Sequence, residues 1–174
     1  MLEKILLAQT LKRLPRMGWL IKGVQRPESI ADHSFGVVFI TLLLAEMLKE
    51  KRVRIDVERA LKIAIVHDLA EAIITDVPIS AQEFLDKDEA EERVFKSLFP
   101  EFYELYLEYR DGSSTEAQLV RLADKLDMIL QAYQYELSGH RNLGEFWRAL
   151  DEIEELEISK YFRDVINSVR RLRD

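Results

Sequence analysis

Apolar residues recur along this chain with a period of about 3.6 residues, and no stretch alternates as a half-buried strand would. The pattern predicts an all-α protein. A first helix runs about Leu2 to Leu14 and stops before Pro15; a loop with Gly18, Gly23 and Pro27 follows. The second helix starts near Ser29 to Asp32 and runs to about Lys51, with Val37, Ile40, Leu44 and Leu48 as one stripe. A third runs about Val57 to Thr75 with Leu61, Ala64, Ile65, Leu69 and Ala72 inward. Asp76-Val77-Pro78 ends it, because the residue before proline resists helical angles. Helices are expected over about Ser80 to Phe99 and Pro100 to Tyr109. Asp111-Gly112 makes a turn, and Ser113 with Glu116 has the spacing of a capping box. The helix it opens carries Leu119, Leu122, Leu126, Ile129 and Tyr133 as its stripe, and Ser138-Gly139 closes it after about Leu137. Gly144 to Leu172 holds one or two more helices.

Composition narrows the class. The chain has 174 residues, 48% apolar and 33% charged, a globular rather than a disordered profile. A net charge of −7 disfavours a duplex nucleic-acid partner. It leaves room for an anionic small molecule, because a bound cation reverses the local field. The absence of cysteine excludes disulfides and thiolate metal sites. Met1 to Gln9 lacks a signal-peptide layout, and the longest apolar stretch, Phe35 to Ala45, is too short to span a bilayer and carries Gly36 and Thr41. A cytoplasmic protein with no membrane partner is expected.

The chemistry begins at His67-Asp68, which lies in the mostly apolar run Leu61 to Ile74. Each polar group costs about 1–3 kcal/mol if buried without a partner. A divalent cation would take an imidazole and a carboxylate together. His33, in the first turn of the second helix, shares a face with Val37 and Ile40; alone it reads as a core or capping histidine. Asp124 stands between Val120 and Met128 on its helix face, and aspartate is a poor mid-helix residue. Alone it reads as a partner of Arg121 or Lys125. Asp127, one turn on, is the rival carboxylate, either supporting the site or solvated. Taken together, His33, His67, Asp68 and Asp124 form a nitrogen and oxygen donor set suited to Mn, Fe, Co, Ni or Zn. Four ligands leave positions open for water and a phosphate oxygen.

The order His33, His67-Asp68, Asp124 resembles the H…HD…D signature of HD-domain metal-dependent phosphohydrolases. Two longer stretches resemble the 5′-deoxynucleotidase (YfbR-like) branch. They are Gly18-Trp19 followed by Arg26-Pro27-Glu28-Ser29-Ile30-Ala31-Asp32-His33, and His67-Asp68-Leu69-Ala70-Glu71 followed by Thr75-Asp76-Val77-Pro78. The resemblance covers about Leu2 to Leu137. It implies a single HD-domain helical bundle over 1–174, with the metal-site core at about 29–137 and C-terminal helices at about 144–172. It implies hydrolysis of deoxyribonucleoside 5′-monophosphates, with the four residues as metal ligands and Glu71 and Asp76 as catalytic carboxylates; a second Mg²⁺ could sit near those two. Glu71 shares the His67 face one turn on, and an acid there would protonate the leaving alkoxide.

The resemblance implies that Trp19 abuts the sugar and disfavours a 2′-hydroxyl by shape; the plainer alternative is a core anchor. Bacterial members carry an arginine just before this tryptophan, where this chain has Gly18. Either the phosphate contact passes to Lys22, Arg26 or Arg16, or the discrimination between sugars differs. His140 reads as a surface loop residue. The resemblance also implies a homodimer, and Phe146, Trp147, Tyr161 and Phe162 are either its interface or buried in the domain. The competing readings are the same site acting on another nucleotide, a triphosphate or signalling nucleotide, and a non-catalytic metal-stabilised binding module.

Overall fold

Two long helices and a shorter one between them carry the architecture of the computed structural model, which describes residues 1–173. In chain order the helices are α1 (Leu2–Ala8), α2 (Met17–Ile21), α3 (Ile30–Glu50), α4 (Val57–Val66), α5 (Glu71–Ile74), α6 (Ile79–Gln82), α7 (Lys87–Leu98), α8 (Tyr103–Asp111), α9 (Thr115–Leu137), α10 (Ala149–Glu155) and α11 (Arg163–Arg170). Short 3₁₀ turns link several of them. No regular strand occurs among the described residues. α3, α4 and α9 pack on one another. Their shared core is built from Val37, Leu44 and Leu48 of α3, Ala60, Ile63 and Ala64 of α4, and Leu119, Leu122, Leu126 and Ile129 of α9.

Phe162, Trp147 and Ile153 of the C-terminal segment seal that core. The C-terminal aromatics are therefore spent inside the fold; Tyr161 is half-buried against the same cluster. A second apolar cluster lies between Leu11, Ile30, Val66, Leu69 and the α7–α8 aromatics Phe95, Phe99 and Tyr106. A third surrounds Trp19 with Val24, Ala132, Leu143 and Phe146.

Several sequence expectations change. The helix expected over Val57 to Thr75 is broken at His67–Ala70. There the chain winds tighter: the amide N–H groups of Leu69, Glu71 and Ala72 donate to carbonyls three residues back, Val66, Asp68 and Leu69. Ile65, expected inward, is 60% exposed, because Ala60, Ile63 and Ala64 take the buried face. The helix expected over Ser80 to Phe99 is divided, since Asp86 caps a fresh start by accepting from the Glu89 N–H at 2.9 Å. The loop expected after Pro15 contains the short helix α2. α3 reaches 21 residues and is long and apolar enough, by length and composition, to cross a membrane, beyond the shorter stretch the sequence suggested.

The capping box at Ser113 and Glu116 does not form. Ser114 caps α9, its Oγ accepting from the Ala117 N–H at 3.0 Å. Glu116 turns away and accepts from the Asp56 N–H at 2.7 Å. A complete capping box forms instead at Ser29 and Asp32, at the start of the helix that carries His33. The structure thus sets apart two adjacent serines. Ser114→Ala is expected to lower unfolding free energy by about 0.5–2 kcal/mol, whereas Ser113→Ala stays near wild type. Urea denaturation of both variants checks this, and equal costs would restore the cap to Ser113.

Candidate metal centre

α3, the tightened turn after α4, and α9 each deliver a donor to one point. His33 enters from the first turn of α3 and His67 from the end of α4; both rings are buried. Each ring is tied from behind. His33 Nδ1 lies 2.7 Å from Asp127 Oδ2, and His67 Nδ1 lies 2.7 Å from its own helix carbonyl at Ala64. The Nε2 atoms of both rings are buried without a hydrogen-bond partner. They face carboxylates instead: Asp124 Oδ1 is 3.1 Å from His33 Nε2, and Asp68 Oδ2 is 3.7 Å and 3.3 Å from the Nε2 atoms of His33 and His67. Donor atoms of His33, His67 and Asp124 all lie within 4.8 Å of one another. The four expected ligands are therefore together.

A buried imidazole nitrogen with no partner loses solvation for nothing. Two such atoms aimed at one place between carboxylates fit a divalent cation that accepts nitrogen and oxygen donors. Electrostatics agree. Burial and the Arg16 charge push the His33 pKa down, but the facing carboxylates of Asp124 and Asp127 outweigh them and raise it to about 10. His67 is also raised, as Asp68 and Asp124 outweigh its burial. Burial pushes Asp124 up, yet the two histidines hold its carboxyl well below the usual range. Without a metal the site draws in protons.

The catalytic candidates adjoin it. Glu71 is fully buried, with Oε2 lacking a partner and Oε1 accepting from Lys87 Nζ at 3.0 Å. Lys87 is shared with Glu91 at 3.3 Å. Burial, reinforced by Asp68, lifts Glu71 to about 8 against the pull of Lys87 and Arg16. Asp76 follows Thr75, whose φ of +63° is strained for a β-branched residue. That turn lets Asp76 accept from the Met17 N–H at the start of α2.

The substrate candidates separate. Arg16 Nη1 donates to Asp68 Oδ2 at 3.3 Å with its side chain largely buried, so Arg16 is the cation at the centre. Lys22 is instead paired with Glu145 at 2.6 Å, and Arg26 is exposed. Trp19 is 1% exposed, packed on Phe146 at 4.0 Å between ring centres, and its Nε1 donates to Glu28 Oε1 at 2.9 Å. As observed, the indole is a core anchor. It still adjoins the centre through Glu28, whose carboxylate lies within 4.8 Å of donor atoms of His33 and Asp127. His140 lies in the turn after α9, its ring edge-on to Tyr135.

Sequence reasoning missed two supports. Tyr109 donates its hydroxyl to Asp124 Oδ2 at 2.8 Å, and its ring meets His67 edge-on at 5.4 Å. Lys87 reaches Glu71 from α7. Neither position stands out in sequence, because a tyrosine or lysine on an amphipathic helix is ordinary.

Comparison with known proteins gives consistent matches. A family model described as HD domain matches residues 8–162. The 5′-deoxynucleotidase of Schizosaccharomyces pombe is 36% identical over 173 residues, covering 90% of this chain and 83% of that protein. The 5′-deoxynucleotidase of Homo sapiens is 37% identical over 150 residues, covering 81% and 71%. A crystal structure of a protein from Pyrococcus horikoshii OT3 is 76% identical, with a TM-score of 0.98 over 99% of both chains.

The raised His33 value fixes a pH dependence. Its folded pKa of about 10 exceeds the ordinary 6.5, so its contribution to the metal-free fold is complete below about 6.5 and is lost as pH rises through about 10. A divalent cation takes the place of that proton. Adding Mn²⁺ near pH 8 is therefore expected to release protons and raise the melting temperature. Titration in weakly buffered solution with parallel melts checks this. Binding without proton release would contradict the site's electrostatics.

Proposed function

The chain belongs to the HD-domain family, and on that footing we propose that it is a metal-dependent phosphomonoesterase. It hydrolyses deoxyribonucleoside 5′-monophosphates to deoxynucleoside and phosphate. One observation carries the reading: two unpartnered, buried Nε2 atoms converge with Asp68 and Asp124 beside a largely buried guanidinium. His33, His67, Asp68 and Asp124 would hold a divalent ion, with Mn, Co, Fe, Ni or Zn suited to the donor set. When bound, that ion supplies Lewis-acid polarisation of the phosphoryl group and activation of water.

The chain's own groups do the rest. Arg16 presents a fixed planar donor to the phosphate oxygens, which makes it the phosphate contact in preference to Lys22 and Arg26. Glu71, kept protonated by burial near neutral pH, gives its proton to O5′ as the P–O5′ bond breaks. Its Oε2 has no other partner to lose in doing so. Asp76 holds the Arg16–Met17 backbone and flanks the same space. A second ion, Mg²⁺ near Glu71 and Asp76, would compete with Lys87 for the charge of one carboxylate and with the Met17 N–H for the other. Trp19, clamped by Glu28, Phe146 and Tyr135 and itself covered, would oppose a 2′-hydroxyl as the rigid backing of the sugar pocket. The same reading expects a single domain that acts as a homodimer on a small nucleotide in the cytoplasm, without a nucleic-acid or membrane partner.

Phosphate release from dAMP and AMP with Mn²⁺ or Co²⁺, beside an Asp68→Ala control, tests the assignment. Release from dAMP well above AMP, lost in the variant together with bound metal, is expected. Equal release would keep the hydrolase and remove Trp19 as the sugar wall; no release from either would remove the nucleotidase reading.

Glu71 sets the alkaline limb. As a proton donor it must be protonated, so kcat/KM should fall as pH rises through about 8, or lower with a cation nearby. Glu71→Ala should keep metal and fold while losing turnover. A profile flat to about pH 9 would end the donor role.

A further inference from the structure

The two histidines are oriented by different means. His67 is steered by a backbone carbonyl of its own helix. His33 is steered by a side chain from another helix, Asp127 of α9, one turn beyond Asp124. The approach of Asp127 depends on a glycine. A Cβ added to Gly36 would lie 1.9 Å from Asp127 Oδ1 and 2.7 Å from its Cγ. These distances are far inside any real contact, and the crowded atoms belong to a short side chain tied at 2.7 Å to a buried ring. Glycine is otherwise a poor choice inside a helix, and Gly36 lies in the first half of the 21-residue α3. No positive φ requires glycine there. Close approach of Asp127 is the physical reason for it.

We propose that Asp127 is a positioning residue for His33 and that Gly36 is the space that admits it. The inference rests on the reading of His33 as a metal ligand. Asp127 accepts the Nδ1 proton, which fixes the tautomer and points the Nε2 lone pair at the centre. A carboxylate behind a ligating imidazole also raises its basicity. Asp127 serves His33 from behind, whereas Asp124, three residues earlier, faces the Nε2 side. The two carboxylates therefore have separate tasks on adjacent turns of one helix. Glu28 shares the outer side of His33 but is engaged by the Trp19 N–H.

The test uses the full-length, metal-free protein loaded with Co²⁺. Affinity and geometry are read from the visible absorption of the bound ion, stoichiometry from elemental analysis, and folding from melts without metal. Asp127→Ala is expected to weaken Co²⁺ binding by about 10–100-fold and to alter the spectrum, with stoichiometry at saturation unchanged. Gly36→Ala should do the same by pushing the carboxylate off His33. The double variant should be no worse than either single one, because the clash has nothing left to displace. Asp127→Asn keeps an acceptor for the Nδ1 proton at the same place, so it should recover most of the affinity.

Wild-type affinity and spectrum in Asp127→Ala would overturn the proposal. So would strictly additive losses in the double variant, or a fall in saturating stoichiometry, which would make Asp127 a ligand. His33→Ala separates this from the underlying reading. If that variant binds Co²⁺ as wild type does, His33 is not a ligand, and both the reading and the proposal fail together.

Discussion

A buried cluster of opposed polar groups governs this protein. Two imidazoles and two aspartates meet at the junction of α3, the turn after α4, and α9, with both rings and Asp68 buried and Asp124 partly open to solvent. Unpartnered polar atoms at such depth are costly, so every neighbour is arranged to hold them or to balance their charge. Ala64 O and Asp127 fix the rings, Tyr109 holds Asp124, and Arg16 reaches Asp68. The cluster still lacks a partner for both Nε2 atoms, and a cation or a proton is the remaining way to satisfy it. Raised histidine values and a depressed Asp124 are two views of that one demand.

The apolar core makes the arrangement rigid without entering it. The shared faces of α3, α4 and α9 pack on one side, sealed by Trp147 and Phe162, while the α7–α8 aromatics pack beneath α5. Donors anchored at packed helices suit a site that must keep fixed dipoles in place as charge develops. The break in the helix at His67–Ala70 is the exception. It tightens the backbone where the chemistry is densest and brings Asp68 beside both rings while Glu71 is buried close by. The strained Thr75 continues this by returning the chain to Met17.

Much of this was legible in the sequence, and the failures have physical causes. His67-Asp68 stood out as a polar pair in an apolar run, whereas His33 and Asp124 alone read as a capping histidine and a salt-bridge partner, and joined it only as a set in the order that resembles the HD signature. Ile65 was misjudged because Ala60, Ile63 and Ala64 compete for one face, and which of them is covered depends on α9. Ser114 rather than Ser113 caps α9, and Glu116 accepts instead from the Asp56 amide, 60 residues away in sequence, a partner that only the fold supplies. Arg16, Lys22 and Arg26 were equivalent as a list of cations. Only the fold sends Arg16 to Asp68, pairs Lys22 with Glu145 and leaves Arg26 exposed.

The sequence by itself determined the all-helical class and the identity of the polar groups that helix faces would bury. Both follow from local periodicity and from the cost of hiding charge, which are properties of residue type and spacing. Tertiary structure alone decided the pairings: which nitrogen of each ring is free, which cation faces the centre, which carboxylate stands behind His33, and why residue 36 is glycine. Those depend on distances of a few ångströms between segments remote in the chain. No periodicity encodes them, because each partner gains its role only when packing fixes what lies opposite.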